Sequence, residues 1–189
     1  MKSPQRKRLS QVAGYSLVEM MMTLAIGLVL ASVAMPMMVG AIQGFRLNSA
    51  AQQVANLIDL TRYTAIRRNA VMSLQKTTVN GNSVFYIDLN GNNVLDANEP
   101  MVMLPADMQL ANGQTLTPPK PPSTQDFTSL LTFDYRGTVN FSGGGPIGAY
   151  FLAIGYTTQA QYGCRAITVT PMGQTKLWKA GAGGIWTGM

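Results

Sequence analysis

Histidine is absent from the 189 residues of the sequence, and cysteine occurs once, as Cys164. Serine–histidine–aspartate and cysteine–histidine catalysis both use an imidazole as general base, so neither is open to this chain. Histidine-ligated zinc and a disulfide within the chain are excluded on the same grounds. No carboxylate pair and no nucleophile beside a base stands in for them, and we expect a protein that is not an enzyme.

Charge is also scarce, since only 12% of the residues are Asp, Glu, Lys or Arg, and it is unevenly placed. The formal net charge is +6, from fourteen Lys and Arg against eight Asp and Glu. The segment 1–14 holds four bases and no acid: Lys2, Arg6, Lys7 and Arg8. The basic character therefore belongs to the N-terminal end, and the rest of the chain is close to neutral.

Residues 20–45 contain no charged side chain. As a helix rising ~1.5 Å per residue this run reaches roughly 39 Å, enough to cross the ~30 Å hydrocarbon core of a bilayer. It is longer than the apolar stretch of a cleaved secretory signal and lacks a small-residue cleavage site. Because the bases precede it, we expect a single-pass membrane protein with its N-terminus inside and the C-terminal bulk on the outer side.

Two residues are unusual for a plain membrane anchor. Glu19 stands at the start of the apolar run, where a carboxylate is costly without a partner. Pro36 interrupts the run, where it removes a backbone donor and favours a bend in the helix. We therefore expect Glu19 and Pro36 to have a function beyond membrane anchoring.

The string Gly14-Tyr15-Ser16-Leu17-Val18-Glu19 resembles the class III signal of type IV pilins and type II secretion pseudopilins. The resemblance implies that a prepilin peptidase removes residues 1–14 as a leader and that the new amino terminus at Tyr15 is methylated. It also implies that Glu19 neutralises the amino terminus of a neighbouring subunit and that Pro36 is the family's proline. Phe is commoner than Tyr at the first mature position, so Tyr15 is a mild departure.

Beyond the apolar run the pattern becomes amphipathic, with apolar or small residues recurring at three and four residue steps. They are Leu47, Ala50, Val54, Leu57, Thr61 and Ala65. We therefore predict one helix from about Tyr15 to about Leu74. Its segment 15–45 would form the transmembrane or filament-core part, and its segment 46–76 would pack under a globular head.

Residues 77–189 lose the helical period and predict a β-rich head, which makes the chain an α+β protein. Strands are predicted at 83–88, 101–104, 130–135, 138–141, 150–154, 166–170 and 175–178. The Phe133-Asp134-Tyr135-Arg136-Gly137 element and the later segment 165–173 look like the head motifs of the minor pilin FimT and pseudopilin GspH group. This resemblance implies the pilin fold, a long N-terminal helix packed on an antiparallel sheet.

The same resemblance implies a low-abundance subunit that assembles with other pilin subunits through its N-terminal helix. The first functional hypothesis is therefore a minor type IV pilin that enters or primes a pilus filament. The alternative is a minor pseudopilin of the type II secretion system, since both classes share the leader and the helix.

The segment 88–99 places oxygen-bearing groups at positions 1, 3, 5, 7, 9 and 12 of a calcium-loop pattern. The candidate ligands are Asp88, Asn90, Asn92, the carbonyl of Val94, Asp96 and Glu99. Asn93 stands where such loops have glycine, and the flanking segments are predicted strands where an EF-hand has helices. An Asx-rich hairpin turn without an ion explains the same residues. The cofactor prediction is therefore none, with calcium as the alternative.

A further alternative is DNA binding, because some FimT-like subunits capture DNA through basic residues near the C-terminus. The candidates in this chain are Arg165, Lys176 and Lys179. Three bases form a weak phosphate-binding footprint, and the Gly-Arg-x-Arg tail of the DNA-binding members is missing. A DNA-binding minor pilin is the third functional hypothesis.

Overall fold

The computed structural model describes residues 14–110, 124–127, 130–140, 149–158, 162–180 and 185–189. The chain divides into two compact units, Met1–Ala41 and Ile42–Met189. Of the leader predicted at 1–14, only Gly14 lies within the described residues. A single α-helix, α1, spans Leu17–Arg68, and the strands described below all belong to the second unit.

Within the first unit, α1 presents its large apolar side chains to the outside. Leu17 is 75% exposed and Met37 is 73% exposed. Pro36 lies inside the helix and does not end it. Over the described part of the chain, α1 is the one helix whose length and hydropathy would suffice to cross a membrane.

Within the second unit, α1 is amphipathic as the sequence predicts, and its apolar face is buried. Leu47 and Val54 are both 0% exposed. The buried positions of the helix are Leu47, Ala50, Ala51, Val54, Ala55, Leu57, Ile58, Thr61, Thr64 and Ala65.

The predicted end of the helix was wrong by about one and a half turns. α1 stops at Arg68, because Asn69 adopts the left-handed conformation with φ of 49°. The N–H of Ala70 then bonds back to the carbonyl of Ala65 at 3.2 Å, which closes the last turn. Residues assigned to the end of the segment 46–76 instead belong to the first strand.

Eleven strands are found among the described residues. They are β1 Met72–Val79, β2 Asn82–Asp88, β3 Met101–Met103, β4 Met108–Leu110, β5 Thr124–Asp126, β6 Leu130–Phe133, β7 Val139–Asn140, β8 Ala149–Tyr156, β9 Cys164–Val169, β10 Thr175–Ala180 and β11 Trp186–Gly188. All seven predicted strands are present with shifted ends, although Phe141 lies outside the described residues. The sequence analysis missed β1, β4, β5 and β11.

The strands form two sheets. Sheet A has the order β3-β2-β1-β6-β7, and sheet B has the order β11-β10-β9-β8-β4, with β5 also paired to β8. Every pairing is antiparallel except that of β5 with β8. A helix packed on antiparallel sheets is the α+β pilin architecture that the sequence predicted.

One large core joins the amphipathic half of α1 to both sheets. Phe85 of β2, Leu131 of β6 and Ile167 of β9 are at most 1% exposed in this cluster. A second, smaller cluster is formed by Phe151, Ala153 and Ala166, with Trp178 and Trp186 packed against it. Leu177 packs on the large core while its neighbour Trp178 packs on the small one, so sheet B buries apolar side chains on both faces.

Candidate functional site

The two head motifs meet at one arginine of the helix. The Nε of Arg62 donates to the carbonyl of Gly137 at 3.0 Å. The turn that contains Gly137 connects β6 to β7, and the turn that contains Gly173 connects β9 to β10. The N–H of Val139 also donates to the carbonyl of Pro171 at 2.9 Å. Helix α1, sheet A and sheet B are therefore joined at this point.

Only glycine fits at the two turn positions. Both residues have left-handed backbones, with φ of 76° at Gly137 and 73° at Gly173. A Cβ on Gly173 would lie 2.4 Å from the carbonyl oxygen of Gly137, and one on Gly137 would lie 2.7 Å from the Cδ1 of Ile66. The physical role of both motif glycines is close approach of two turns to the helix.

Asp134 holds the first of these turns in shape. Its Oδ1 accepts the N–H groups of Arg136 at 2.9 Å and of Thr138 at 2.8 Å. Burial alone would raise the pKa of Asp134, but the hydrogen bonds from Thr138 and Arg136 and the positive charge of Arg136 outweigh it and lower the pKa. The aspartate is thus a turn residue in its charged form.

Further polar contacts fasten the helix to sheet B. The hydroxyl of Tyr156 lies 2.9 Å from the backbone oxygen of Gln43 and 2.7 Å from its Oε1. The hydroxyl of Thr175 donates to the carboxylate of Asp59 at 2.9 Å. These contacts attach the helix to sheet B at two positions 16 residues apart.

Arg165 takes part in this fastening, which contradicts its prediction as a surface DNA contact. It is 3% exposed, its Nε donates to the Oδ1 of Asn48, and its Nη1 donates to the carbonyl of Cys164 at 3.1 Å. Burial lowers the pKa of Arg165. Burial also raises the pKa of the Cys164 thiol, which keeps it protonated and unreactive.

The two remaining DNA candidates do not share a surface. Lys176 pairs with Thr168 and Lys179 pairs with Arg165 in the register of β10 and β9. Because side chains alternate along a strand, residues three positions apart point to opposite faces of the sheet. The three basic residues named from the sequence therefore form no common patch for a phosphate backbone.

The calcium-loop residues lie together between β2 and β3, and Asp88 is the centre of the loop. Asp88 is 3% exposed. Its Oδ1 accepts the N–H of Gly91 at 2.6 Å, and its Oδ2 accepts the N–H of Asn93 at 3.0 Å. The side-chain amide of Gln75 donates to the same Oδ2 at 2.9 Å.

Glu99 closes the other end of the loop. It is 7% exposed, its Oε1 accepts the N–H of Leu89 at 2.8 Å, and its Oε2 accepts the N–H of Asp96 at 3.1 Å. The Oδ2 of Asp96 accepts the side-chain amides of Asn90 at 2.7 Å and Asn92 at 2.8 Å. Both buried carboxylates thus have N–H donors at both oxygens.

The loop also affects the tyrosine beneath it. Burial, followed by the charges of Asp88, Glu99 and Asp96, raises the pKa of Tyr86. Its phenol remains protonated and lies 3.4 Å from the Oε1 of Gln75. The negative charges of the three carboxylates therefore favour the neutral form of the Tyr86 phenol.

The geometry suits a hydrogen-bonded turn. Asn93, at the position where calcium loops have glycine, has φ of 60°, which asparagine tolerates better than other residues with a Cβ. Val94 is 58% exposed, and its N–H donates to the Oδ1 of Asn92 at 2.8 Å. Over the described ranges, no group of three or more His, Cys, Asp or Glu side chains is arranged to hold a metal ion. Calcium binding stays an untested prediction.

The processing and assembly candidates lie in the first unit. Gly14 and Tyr15 precede the helix, and a Cβ at Gly14 would meet no atom within 4 Å. Glu19 lies in the first turn of α1, and Pro36 lies well inside it. Tyr15 is 80% exposed.

Sequence reasoning missed two functional features of the head. Nothing in the spacing of Arg62 along the helix reveals that two distant turns converge on it. Arg165 did carry a signal, because it shares the alternating strand face of Ile167 and Val169, which are 0% and 2% exposed. That pattern places the arginine inside.

Two protein families match the sequence. Type II transport protein GspH matches residues 50–173, and the prokaryotic N-terminal methylation motif matches residues 9–35. No curated protein matches the chain significantly.

Solved structures of similar proteins include the type IV minor pilin FimU of Pseudomonas aeruginosa, with 17% sequence identity and a TM-score of 0.49. That comparison covers 69% of this chain and 87% of FimU. The minor pseudopilin EpsH from the Type 2 Secretion System of Vibrio cholerae has 17% identity and a TM-score of 0.46, over 72% of this chain and 98% of EpsH.

Proposed function

Because the chain belongs to the family of type II transport protein GspH, whose pilins and pseudopilins are structural proteins, we propose that it is a minor type IV pilin. It is held in the inner membrane by its N-terminal helix and is then incorporated into a filament, which it enters or primes. The prepilin peptidase removes residues 1–14, and the amino group of Tyr15 is methylated.

The exposure of the apolar half of α1 carries this proposal. Leu24, Leu30 and Met38 are each at least 65% exposed, and no other described element supplies them with a cover. Apolar surface of this extent is unstable in water and requires either lipid or apolar helices around it. A membrane before assembly and neighbouring pilin helices after assembly meet that requirement in turn.

Glu19 gives the assembly step its polar contact. A carboxylate in an apolar interface is tolerated when a cation pairs with it. Cleavage after Gly14 creates such a cation at Tyr15 of each subunit, and the amino terminus of one subunit can pair with Glu19 of its neighbour.

The experiment compares Glu19→Ala with Met20→Ala in cells that assemble the filament. We expect both variants to be cleaved, and Glu19→Ala alone to be strongly depleted from sheared filaments, because the neighbouring amino terminus loses its counter-charge. Quantitative immunoblotting of the filament and membrane fractions measures both steps. Wild-type incorporation of Glu19→Ala would refute the role of Glu19.

A second candidate is a minor pseudopilin of the type II secretion system, and the match to the family of type II transport protein GspH favours it. The two candidates differ in what a deletion does. Loss of a pilus subunit would reduce surface filaments, whereas loss of a pseudopilin would leave secreted enzymes in the periplasm. Measuring filaments and secreted proteins in the same deletion strain separates them.

For the loop 88–99 we propose a structural role that requires no ion. The buried carboxylates of Asp88 and Glu99 each accept N–H donors at both oxygens, so their charge is already solvated by the protein. We expect the melting temperature of the full chain in detergent micelles to be the same in millimolar calcium and in chelator. Glu99→Gln should lower it in both. A calcium-dependent rise would contradict the proposal, since an ion at 100 times its Kd stabilises by about 2.7 kcal/mol.

A further inference from the structure

A groove of about 450 Å³ runs along the amphipathic half of α1, within the second unit. One wall is a single ridge of the helix, made of Phe45, Ser49 and Gln53 at four-residue steps. The other wall is formed by Met103 at the end of β3 and by Pro105 in the connection from β3 to β4. Eight residues of helix rise about 12 Å, so the groove can receive the side chains along about two turns of one face of another helix.

The floor of the groove and parts of both of its walls are apolar. Its floor contains Ala50 and Leu104, which are 6% and 1% exposed. Phe45 at one end is 74% exposed, and Met103 on the opposite wall is 47% exposed. Large aromatic side chains often anchor protein interfaces, and Phe45 is an exposed aromatic beside this apolar floor.

The polar side chains of the groove do not require hydrogen bonds from a ligand. The side-chain amide of Gln53 lies 3.3 Å from the hydroxyl of Ser49 and donates to it. Of the residues that the structure describes, none has a buried side-chain nitrogen or oxygen without a hydrogen-bond partner. Arg46 and Asp107 line the groove with opposite charges, so it has no net charge to attract an ion.

We propose that this groove receives the apolar N-terminal helix of a neighbouring pilin subunit. The inference rests on the proposed function, and it names the surface of the head that a neighbour's helix contacts. Three properties select this occupant: a helical ridge that fits ridges-into-grooves packing, an apolar floor, and a zero net charge that matches an uncharged helix.

Continuity with the apolar run supports the same occupant. Phe45 is the last residue of the uncharged run 20–45. Helices that cover the exposed residues of this run in a filament therefore reach Phe45 next, and the groove begins there. The apolar helix of this chain is itself suited to close packing, because Gly27, Ala31 and Ala34 recur at four and three residue steps.

The test places the photoreactive residue p-benzoylphenylalanine at Gln53 in the full chain, in cells that assemble the filament. Gln52 is the matched control, since it is exposed and its amide bonds to Asn56 outside the groove. Val29 is the second control, because it lies on the exposed apolar helix. Mass spectrometry of the adducts identifies the cross-linked peptide.

We expect the photoreactive residue at position 53 to give a subunit-sized adduct that maps to the apolar helix of a pilin. The same residue at position 52 should not give that adduct. Filling the groove with Ser49→Phe should abolish the Gln53 adduct while leaving the Val29 adduct. An adduct at Gln53 to lipid, to a soluble protein or to a pilin head would overturn the inference, as would equal yields at Gln52 and Gln53. If Val29 cross-links subunits and Gln53 does not, this inference fails alone. If neither does, the proposed filament function fails as well.

Discussion

The two halves of α1 show how one type of secondary structure is stabilised by two different sources. In the half that belongs to the second unit, Leu47 and Val54 are 0% exposed against the sheets. In the half that belongs to the first unit, Leu30 is 66% exposed and Met37 is 73% exposed. Both halves are apolar enough to need burial, and among the residues that the structure describes only the half in the second unit is buried.

The difference teaches where each half gets its stability. Burying a Leu or Val side chain contributes about 1.5–3 kcal/mol, and the head collects this from its own sheets. In the function proposed above, the apolar half gains it from lipid or from other subunits. Substitutions in the first half should therefore change processing and assembly, and substitutions in the second half should change folding.

The largest expected effect is that of Gly14→Val, which should abolish leader cleavage. A side chain at this position meets no atom within 4 Å, so the folded chain accommodates it and the loss arises at the peptidase. An immunoblot should show only the full-length protein, with the melting temperature of the head unchanged. Ser16→Val is the neighbouring control. A band of mature size from Gly14→Val would show that Gly14 is not the recognition residue.

Next in size is the contrast of Ile58→Ala with Leu30→Ala. Ile58 is 1% exposed in the core, and removing its side chain should cost about 2–5 kcal/mol of unfolding free energy. Leu30 is exposed, and its removal should leave head stability within about 0.5 kcal/mol. Denaturant unfolding followed by tryptophan fluorescence measures both. Equal losses would break the comparison between the halves.

A smaller loss of stability is expected where the turns that contain Gly137 and Gly173 meet Arg62, and this prediction has a closely matched control. Gly173→Ala adds backbone strain and a clash with the carbonyl of Gly137, for a loss of roughly 2–4 kcal/mol. Gly81→Ala has a similar φ of 82° but open space, so its loss should be about 1 kcal/mol. Neither variant should alter leader cleavage. If the two melting temperatures fall equally, close approach at Gly173 is unimportant.

The smallest effect concerns the pH dependence of the head. The folded pKa of Asp134 is lowered, so its contribution is present above the ordinary aspartate pKa and is lost as the pH falls through the lowered value. Asp134→Asn keeps the Oδ1 acceptor and cannot titrate. Its melting temperature should therefore fall less than that of the wild type between about pH 5 and about pH 2. Parallel curves for the two proteins would argue against a role for the Asp134 charge.

Much of the fold could be predicted from the sequence because its signals are periodic. The uncharged run and the three and four residue steps of Leu47, Val54 and Ala65 identify the helix, and seven strands follow from alternation and turn residues. The strand β1 was missed because Met72–Val79 follows the helix directly, and only the left-handed backbone of Asn69 marks the boundary. The strands β4, β5 and β11 have three residues each, too few to show a period. The equally short β3 and the shorter β7 were found because the segments 101–104 and 138–141 were predicted as slightly longer strands between turn residues.

The candidate site was predictable in part. The motif glycines at 137 and 173 were noted through resemblance, but their meeting point depends on tertiary packing that no local pattern records. The loop 88–99 was found as a cluster of oxygen groups, and sequence alone did not choose between an ion and backbone N–H donors. The leader and Glu19 were found most directly, because their signal is a contiguous string.

The contacts that fasten the helix to sheet B also determine when the head can finish folding. Gln43 with Tyr156, Asp59 with Thr175 and Asn48 with Arg165 are separated by 113, 116 and 117 residues along the chain. Pairings so distant in sequence form slowly, because the chain loses the entropy of closing a long loop before these contacts stabilise the fold. In the proposed topology, Asn48 and Asp59 would emerge from the membrane well before Arg165 and Thr175 do. We therefore expect completion of the head to be a late event of translocation, during which the helix face around Leu47 needs protection from aggregation.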